Sequence, residues 1–236
     1  MCTKVKQNVD TTEITSSKKE IFGGNDIGEK ISCDIYRCDI YRLSELQALE
    51  CLQKVTKNPN ATWKSPLQLE AIKHVYAEEH DILLVMATGG GKTMAIIIPT
   101  LMDDSVSVIV LPLNSLITDY KRKFDEMELK YDSYTNNTKT LRQDVNFIFV
   151  SADLAKTNSW KQCIMNLDEC AEVSRLFFDE AHIPLLSKGF RPSLNHLSDL
   201  RVLNIQFTLL TATAPPSSED ALYKLFGLLP TNTLTL

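Results

Sequence analysis

From Trp63 onward, short apolar runs alternate with segments of helical period. The runs at 82–86 (ILLVM), 106–111 (VSVIVL), 146–150 (NFIFV), 174–178 (SRLFF) and 205–210 (IQFTLL) read as strands. Apolar residues fill consecutive positions in them, so both faces are buried, as in a parallel sheet. Between the runs the pattern predicts helices near 92–102, 114–128, 152–171 (interrupted), 191–201 and 217–226. Ser65-Pro66 opens another, with Ser as N-cap, Pro in the first turn and Gln68 in the capping-box place. This alternation predicts an α/β domain, a parallel sheet with helices on both sides.

Upstream the pattern changes. Residues 1–30 are polar, rich in Thr, Ser and Lys, and read as a flexible, partly disordered arm. A short tandem repeat follows, Asp34-Ile35-Tyr36-Arg37 then Asp39-Ile40-Tyr41-Arg42, too brief for a solenoid. Leu43, Leu46, Leu49, Leu52 and Val55 recur at every third residue, and Ser44 with Gln47 forms a capping box, predicting a helix over 44–56. Asn58-Pro59-Asn60 breaks the chain. The expected division is therefore an arm with one helix, 1–60, and an α/β domain, 61–236.

Composition narrows the function classes. The longest apolar runs, Ala95–Ile98 and Val108–Leu111, fall far short of the ~20 residues of a membrane span. Met1–Asp10 has no signal-peptide core, so an intracellular protein without membrane contact is expected. The net charge is −5, and residues 61–236 carry the whole deficit, because 1–60 holds nine charges of each sign. No global basic field draws this chain to nucleic acid, and any such contact is local. The six cysteines form no CxxC pair and read as reduced thiols rather than a zinc site.

Chemistry enters at the end of the first strong strand, with Met86-Ala87-Thr88-Gly89-Gly90-Gly91-Lys92-Thr93. Three of the chain's eight glycines sit in this one turn, and a helix follows. Glycine permits positive φ and close backbone approach, and a helix N-terminus supplies oriented donors to an anion. Lys92 is placed to reach the β- and γ-phosphates of a nucleotide and the Thr93 hydroxyl to ligate Mg²⁺. The strict phosphate-loop pattern has Gly where Met86 stands; a flexible turn with a solvated lysine is the alternative. The second half of such a site is a buried strand ending in acid. Leu176-Phe177-Phe178 runs into Asp179-Glu180-Ala181-His182, 87 residues after Lys92. Asp179 is the candidate Mg²⁺ holder and Glu180 the residue that polarises the attacking water. Acids at the C-terminal edge of a strand lie where open α/β sheets bind ligands.

These motifs resemble superfamily 2 helicases, and in detail the RecQ family of DNA helicases. The likeness covers residues 63–236 as that family's first RecA-like lobe, a P-loop NTPase fold. The RecQ phosphate loop carries Met where Met86 stands, followed by Thr88, Gly89, Gly90, Gly91 and Lys92. Pro112-Leu113 with Ser115-Leu116 and Asp119 is similar to motif Ia, which touches the DNA strand. Val150-Ser151 sits at motif Ib. Thr211-Ala212-Thr213-Ala214 is similar to motif III, which links nucleotide state to lobe movement, with His182 of the acidic motif in the same coupling path. Phe190-Arg191-Pro192 matches the Phe-Arg-Pro after the aromatic-rich loop, and Gln68 falls at the motif 0 glutamine that reads adenine. The resemblance implies ATP and Mg²⁺ as cofactors, single-stranded or 3′-tailed DNA as partner, and a nuclear place of work.

The departures are specific. The adenine-sandwiching Tyr and Arg of the family are replaced by Ala61 and Ser65, and motif Ib shows Ala152-Asp153 in place of Pro-Glu. Ile183–Gly189, where the family carries Trp and His, is one residue shorter and has no aromatic before Phe190. No second lobe lies within the 236 residues, so the expectation is a fragment or truncated product that does not unwind alone. A non-catalytic nucleotide-binding interaction module is the alternative. An RNA-directed ATPase of the same superfamily is a third, against which the Gly-Gly-Gly loop and Phe-Arg-Pro speak.

Overall fold

The computed structural model describes residues 45–168, 173–186, 192–215 and 218–236. Seven strands form one sheet in the order β3-β4-β2-β5-β6-β1-β7. They are β1 (Asp81–Val85), β2 (Val106–Leu111), β3 (Tyr131–Ser133), β4 (Phe147–Ser151), β5 (Val173–Phe178), β6 (Gln206–Thr211) and β7 (Thr233–Thr235), and every pairing is parallel. The five strands expected from the apolar runs are all present, each within one residue of its expected ends. The two the pattern did not predict, β3 and β7, are three-residue edge strands. Among the described residues one side of each has no sheet neighbour, and three residues are too few to carry a periodic apolar signal.

The helices are α1 (45–55), α2 (Pro66–Ala77), α3 (Lys92–Met102), α4 (Asn114–Glu126), α5 (Ala152–Ala155), α6 (Asn158–Asp168), α7 (Ile183–Leu186) and α8 (Glu219–Phe226). The interruption expected within 152–171 falls at Lys156-Thr157, where the Thr157 hydroxyl accepts from the Trp160 amide at 3.2 Å and starts a new helix. The helix expected over 191–201 is a 3₁₀ segment, Pro192–Val202.

Successive strand residues feed opposite cores, as the two-residue strand period requires. Leu83, Val108, Val110, Ile148, Val150, Leu176, Phe178 and Leu209 pack with Trp160, Ile164, Leu222 and Phe226 on one face. Ile82, Leu84, Ile109, Leu111, Phe147, Phe149, Phe177 and Leu210 pack with Ile72, Ile96, Ile97 and Phe124 on the other.

Two findings refine this picture. First, the turn at Asn58–Asn60 does not part α1 from the core that follows it. Ala48, Leu52 and Val55 of α1 are buried in the same core as α2, and Lys73 of α2 pairs with Glu45 at 3.0 Å. Ala48, Leu52 and Val55 follow the 3.6-residue period of a buried stripe, so Leu46, part of the every-third-residue pattern, ends up 59% exposed. The other expectations for 1–44, including the Ser44 capping box and the repeat, lie outside the described residues. Second, β5 is not apolar throughout. Arg175, near its start, is fully buried. Its Nε donates to Val75 O (2.9 Å), and its guanidinium meets Ser105, Ser174, Asp103 and Glu78. Asp81, at the start of β1, is held by Arg201 through both carboxylate oxygens, at 2.7 and 3.1 Å. Ion pairs thus close the edge where strands begin, and the opposite edge is left for chemistry.

Candidate nucleotide site

The loop after β1 is shaped by its glycines. Gly89 and Gly91 have φ of 81° and 102°, the left-handed region that L side chains rarely adopt. A Cβ on Gly90 would sit 2.6 Å from Met86 Cγ, so the methionine at the strict pattern's glycine place packs directly over a glycine that must be there. A Cβ on Gly91 would collide with the Gln68 side-chain amide. Gln68 is buried at the start of α2, where its Nε2 donates to Gly91 O at 3.2 Å and its Oε1 accepts from Lys64 N at 2.7 Å. Ser65 caps α2 as expected, accepting from Gln68 N at 3.2 Å, but the return bond of a capping box goes to Lys64 rather than Ser65. Lys64 adds a second tie, Nζ to Gly89 O at 2.9 Å. Gly89→Ala should therefore cost only the backbone term, about 1–2 kcal/mol, because its Cβ meets nothing within 4 Å. Gly91→Ala should cost more, since it also displaces Gln68. Equal losses in apo melting temperature would refute the Gln68 contact.

Helix α3 begins at Lys92, and no side chain caps its N-terminus. The Lys92 ammonium is buried and has no hydrogen-bond partner; the Glu180 carboxylate lies 3.7 Å away. A buried cation without hydrogen bonds is costly, and an anion bound at the uncapped helix start would complete it.

Across the loop, β5 delivers the acids. Asp179 is held at both oxygens: Oδ1 accepts from Glu180 N (3.0 Å), and Oδ2 from the Tyr120 hydroxyl (2.8 Å). Glu180 has φ of 50°. That strained backbone persists because its neighbours are tied down: Asp179 N donates to Val110 O (3.2 Å), Ala181 N to Leu210 O (3.0 Å) and Ile183 N to Glu180 O (2.9 Å). His182 Nδ1 lies 2.8 Å from Thr211 Oγ1 and 3.5 Å from Glu180 Oε2. The Thr211 hydroxyl donates to Thr213 O at 2.8 Å, so it accepts from His182, which fixes the Nδ1–H tautomer.

One cluster at the C-terminal edge thus gathers Gln68, Gly91, Lys92, Thr93, Asp179, Glu180, His182, Thr211 and Thr213. Thr88 is exposed on the loop tip, and Pro112 and Ser115 stand after β2, the first buried and the second exposed. Phe190 and Arg191 lie outside the described residues. Sequence reading missed Tyr120 and the structural role of Lys64. Tyr120 is one of two buried residues on α4, the other being Phe124, and its only sequence signal is a phenol at an apolar position. Among the described residues no group of three or more His, Cys, Asp or Glu is arranged to hold a metal. Thr93 and one carboxylate suit Mg²⁺, which is commonly bound through one or two carboxylates plus substrate phosphates. No helix among the described residues is long and apolar enough to cross a membrane.

Residues 65–222 match the DEAD/DEAH box helicase family model. The chain belongs to that family. Among helicase relatives, ATP-dependent DNA helicase Q5 of Rattus norvegicus is 25% identical over 177 residues, covering 69% of this chain and 18% of the relative. ATP-dependent DNA helicase RecQ of Haemophilus influenzae is 30% identical over 154 residues, covering 59% of this chain and 24% of the relative. This helicase domain therefore spans a quarter or less of the length of these relatives. The crystal structure of the DUF1998 helicase MrfA bound to DNA shares the fold, with a TM-score of 0.54 at 18% identity over 72% of this chain and 26% of that one. Family membership implies ATP use, and the domain is similar to that of RecQ helicases.

Proposed function

We propose that this chain is the ATP-binding and ATP-hydrolysing lobe of a RecQ-like 3′–5′ DNA helicase that works with Mg²⁺ on single-stranded or 3′-tailed DNA, in the nucleus. The observation that carries the reading is the buried Lys92 ammonium, unsatisfied at an uncapped helix start and facing Glu180. Lys92 and the loop amides bind the β- and γ-phosphates. Thr93 and Asp179 hold the metal, which when bound neutralises charge on the phosphate oxygens. Glu180 orients the attacking water and takes its proton. Gln68, buried with its amide bonded to Gly91 O and Lys64 N, braces the phosphate loop, and its second Nε2 hydrogen is what it has to offer adenine. His182, through Thr211, carries the state of the site to β6. Pro112, Ser115, Phe190 and Arg191 supply the nucleic-acid contacts.

Saturating Mg²⁺-ATP, at ~100 Kd, should add ~2.7 kcal/mol to the stability of wild type, and Lys92→Ala should lose that gain. A melt without a shift in wild type, or with the same shift in the variant, would count against the site.

A second reading, the non-catalytic interaction module, is favoured by Ile183–Gly189, which holds no aromatic to sense a base. Base stacking worth ~1–3 kcal/mol per base is missing from that segment. The net charge of −5 also leaves the phosphate-backbone contribution to affinity small. Phosphate release by these 236 residues should be slow and barely stimulated by a single-stranded oligonucleotide across a salt series. Stimulation of about tenfold, ~1.4 kcal/mol of barrier, would show that the remaining contacts carry the DNA signal. Bound ATP with no hydrolysis would instead support the module.

A further inference from the structure

We propose that Tyr120 is a positioning residue of the metal site, its hydroxyl holding Asp179 in the orientation in which it and Thr93 would share one divalent cation. The inference rests on the nucleotide-site reading above and adds to it a residue outside the two motifs that define the site.

Tyr120 is fixed before any ligand arrives. It is 4% exposed, on the face of α4 that packs against the sheet. Its ring is braced by Phe124 and Phe149, at centroid distances of 5.9 and 5.8 Å. The hydroxyl therefore has one place to point, toward Asp179 Oδ2 at 2.8 Å. A phenol is protonated at neutral pH and donates this bond, the carboxylate oxygen accepting it. One hydroxyl thus ties α4 to the acid after β5, 59 positions away.

The consequence is geometric. An ionised carboxylate offers about four lone-pair positions. Two are taken, one by Glu180 N–H and one by Tyr120 O–H, and with both oxygens held the carboxylate cannot rotate. The remaining positions are then held in one orientation. Groups that orient metal ligands in this way typically contribute about 10–100-fold to metal affinity. A tyrosine that served only the core would be replaced by phenylalanine without effect on the metal.

The test uses the 236-residue chain and Tyr120→Phe, with ADP at fixed saturating concentration and Mg²⁺ varied, read by thermal shift and calorimetry. The variant keeps the ring, so its apo melting temperature should stay near wild type and ADP should still bind at saturating Mg²⁺. The Mg²⁺ midpoint should rise by about tenfold. In an Asp179→Asn background, the same substitution should move the midpoint by less than about twofold, because the bond it removes no longer orients a charged ligand. An unchanged or lowered midpoint in the single variant, or a full shift in the Asp179→Asn background, overturns the inference while leaving the nucleotide site standing. Absence of Mg²⁺-dependent ADP binding by wild type overturns both.

Discussion

Glu180→Gln is expected to slow phosphate release from ATP by at least ~10²–10⁴-fold, the usual contribution of a positioned general base, while ATP still stabilises the fold. The amide keeps the shape of the carboxylate but cannot accept a proton from water. It also keeps the backbone: φ at this position is 50°, and glutamine meets the same strain as glutamate, so the turn should survive. What changes is charge. Glu180 lies 3.7 Å from the Lys92 ammonium and 3.5 Å from His182 Nδ1, and both lose an anion. Lys92 is then freer for phosphate, so ATP-induced stabilisation should be retained or rise. Asp179→Asn should behave differently, raising the Mg²⁺ requirement instead. Phosphate release by rigorously purified wild type and Glu180→Gln at the same rate would remove Glu180 from the reaction.

The central strands and the phosphate loop were legible because each rests on a local pattern. Consecutive apolar residues mark a strand buried on both faces, and three glycines before Lys-Thr mark a turn that needs positive φ. Residues whose role depends on distant partners were not legible. Arg175, with Ser174 beside it, interrupts an apolar run, and nothing near it in sequence announces that Val75, Asp103 and Ser105 will surround it. Tyr120 looks like any amphipathic-helix core residue until β5 brings Asp179 to its hydroxyl. The packing of α1 across Asn58–Asn60 was illegible for a related reason. A turn breaks a helix, but only packing tells whether the helix before it belongs to the same core, and Ala48, Leu52 and Val55 place α1 inside it.

Arg175→Ala is expected to destabilise the chain by about 3 kcal/mol, the lower end of the cost of removing one partner from a buried ion pair. The lower end applies because Glu78 and Asp103 are 37% and 25% exposed and water can partly replace the guanidinium. The carbonyl of Val75 and the hydroxyls of Ser105 and Ser174 lose their donor as well. For a domain of this size the loss corresponds to roughly 6–12 °C in Tm, and a urea melt measures it directly. Arg175→Lys should recover little, since one ammonium cannot reach Val75 O, Ser105 and Asp103 together as the planar fork does. Function should part from stability here. Arg175 and Asp179 are four residues apart, so at ~3.3 Å per residue about 13 Å of strand separates them. One strand therefore carries an anchor near one end and the acid proposed to hold the metal after the other. Below its lowered transition, Arg175→Ala should bind Mg²⁺-ADP within about threefold of wild type, a difference of under ~0.7 kcal/mol. A larger loss of affinity in the folded variant would mean that the anchor reaches the site through α2, whose far end holds Gln68 against Gly91.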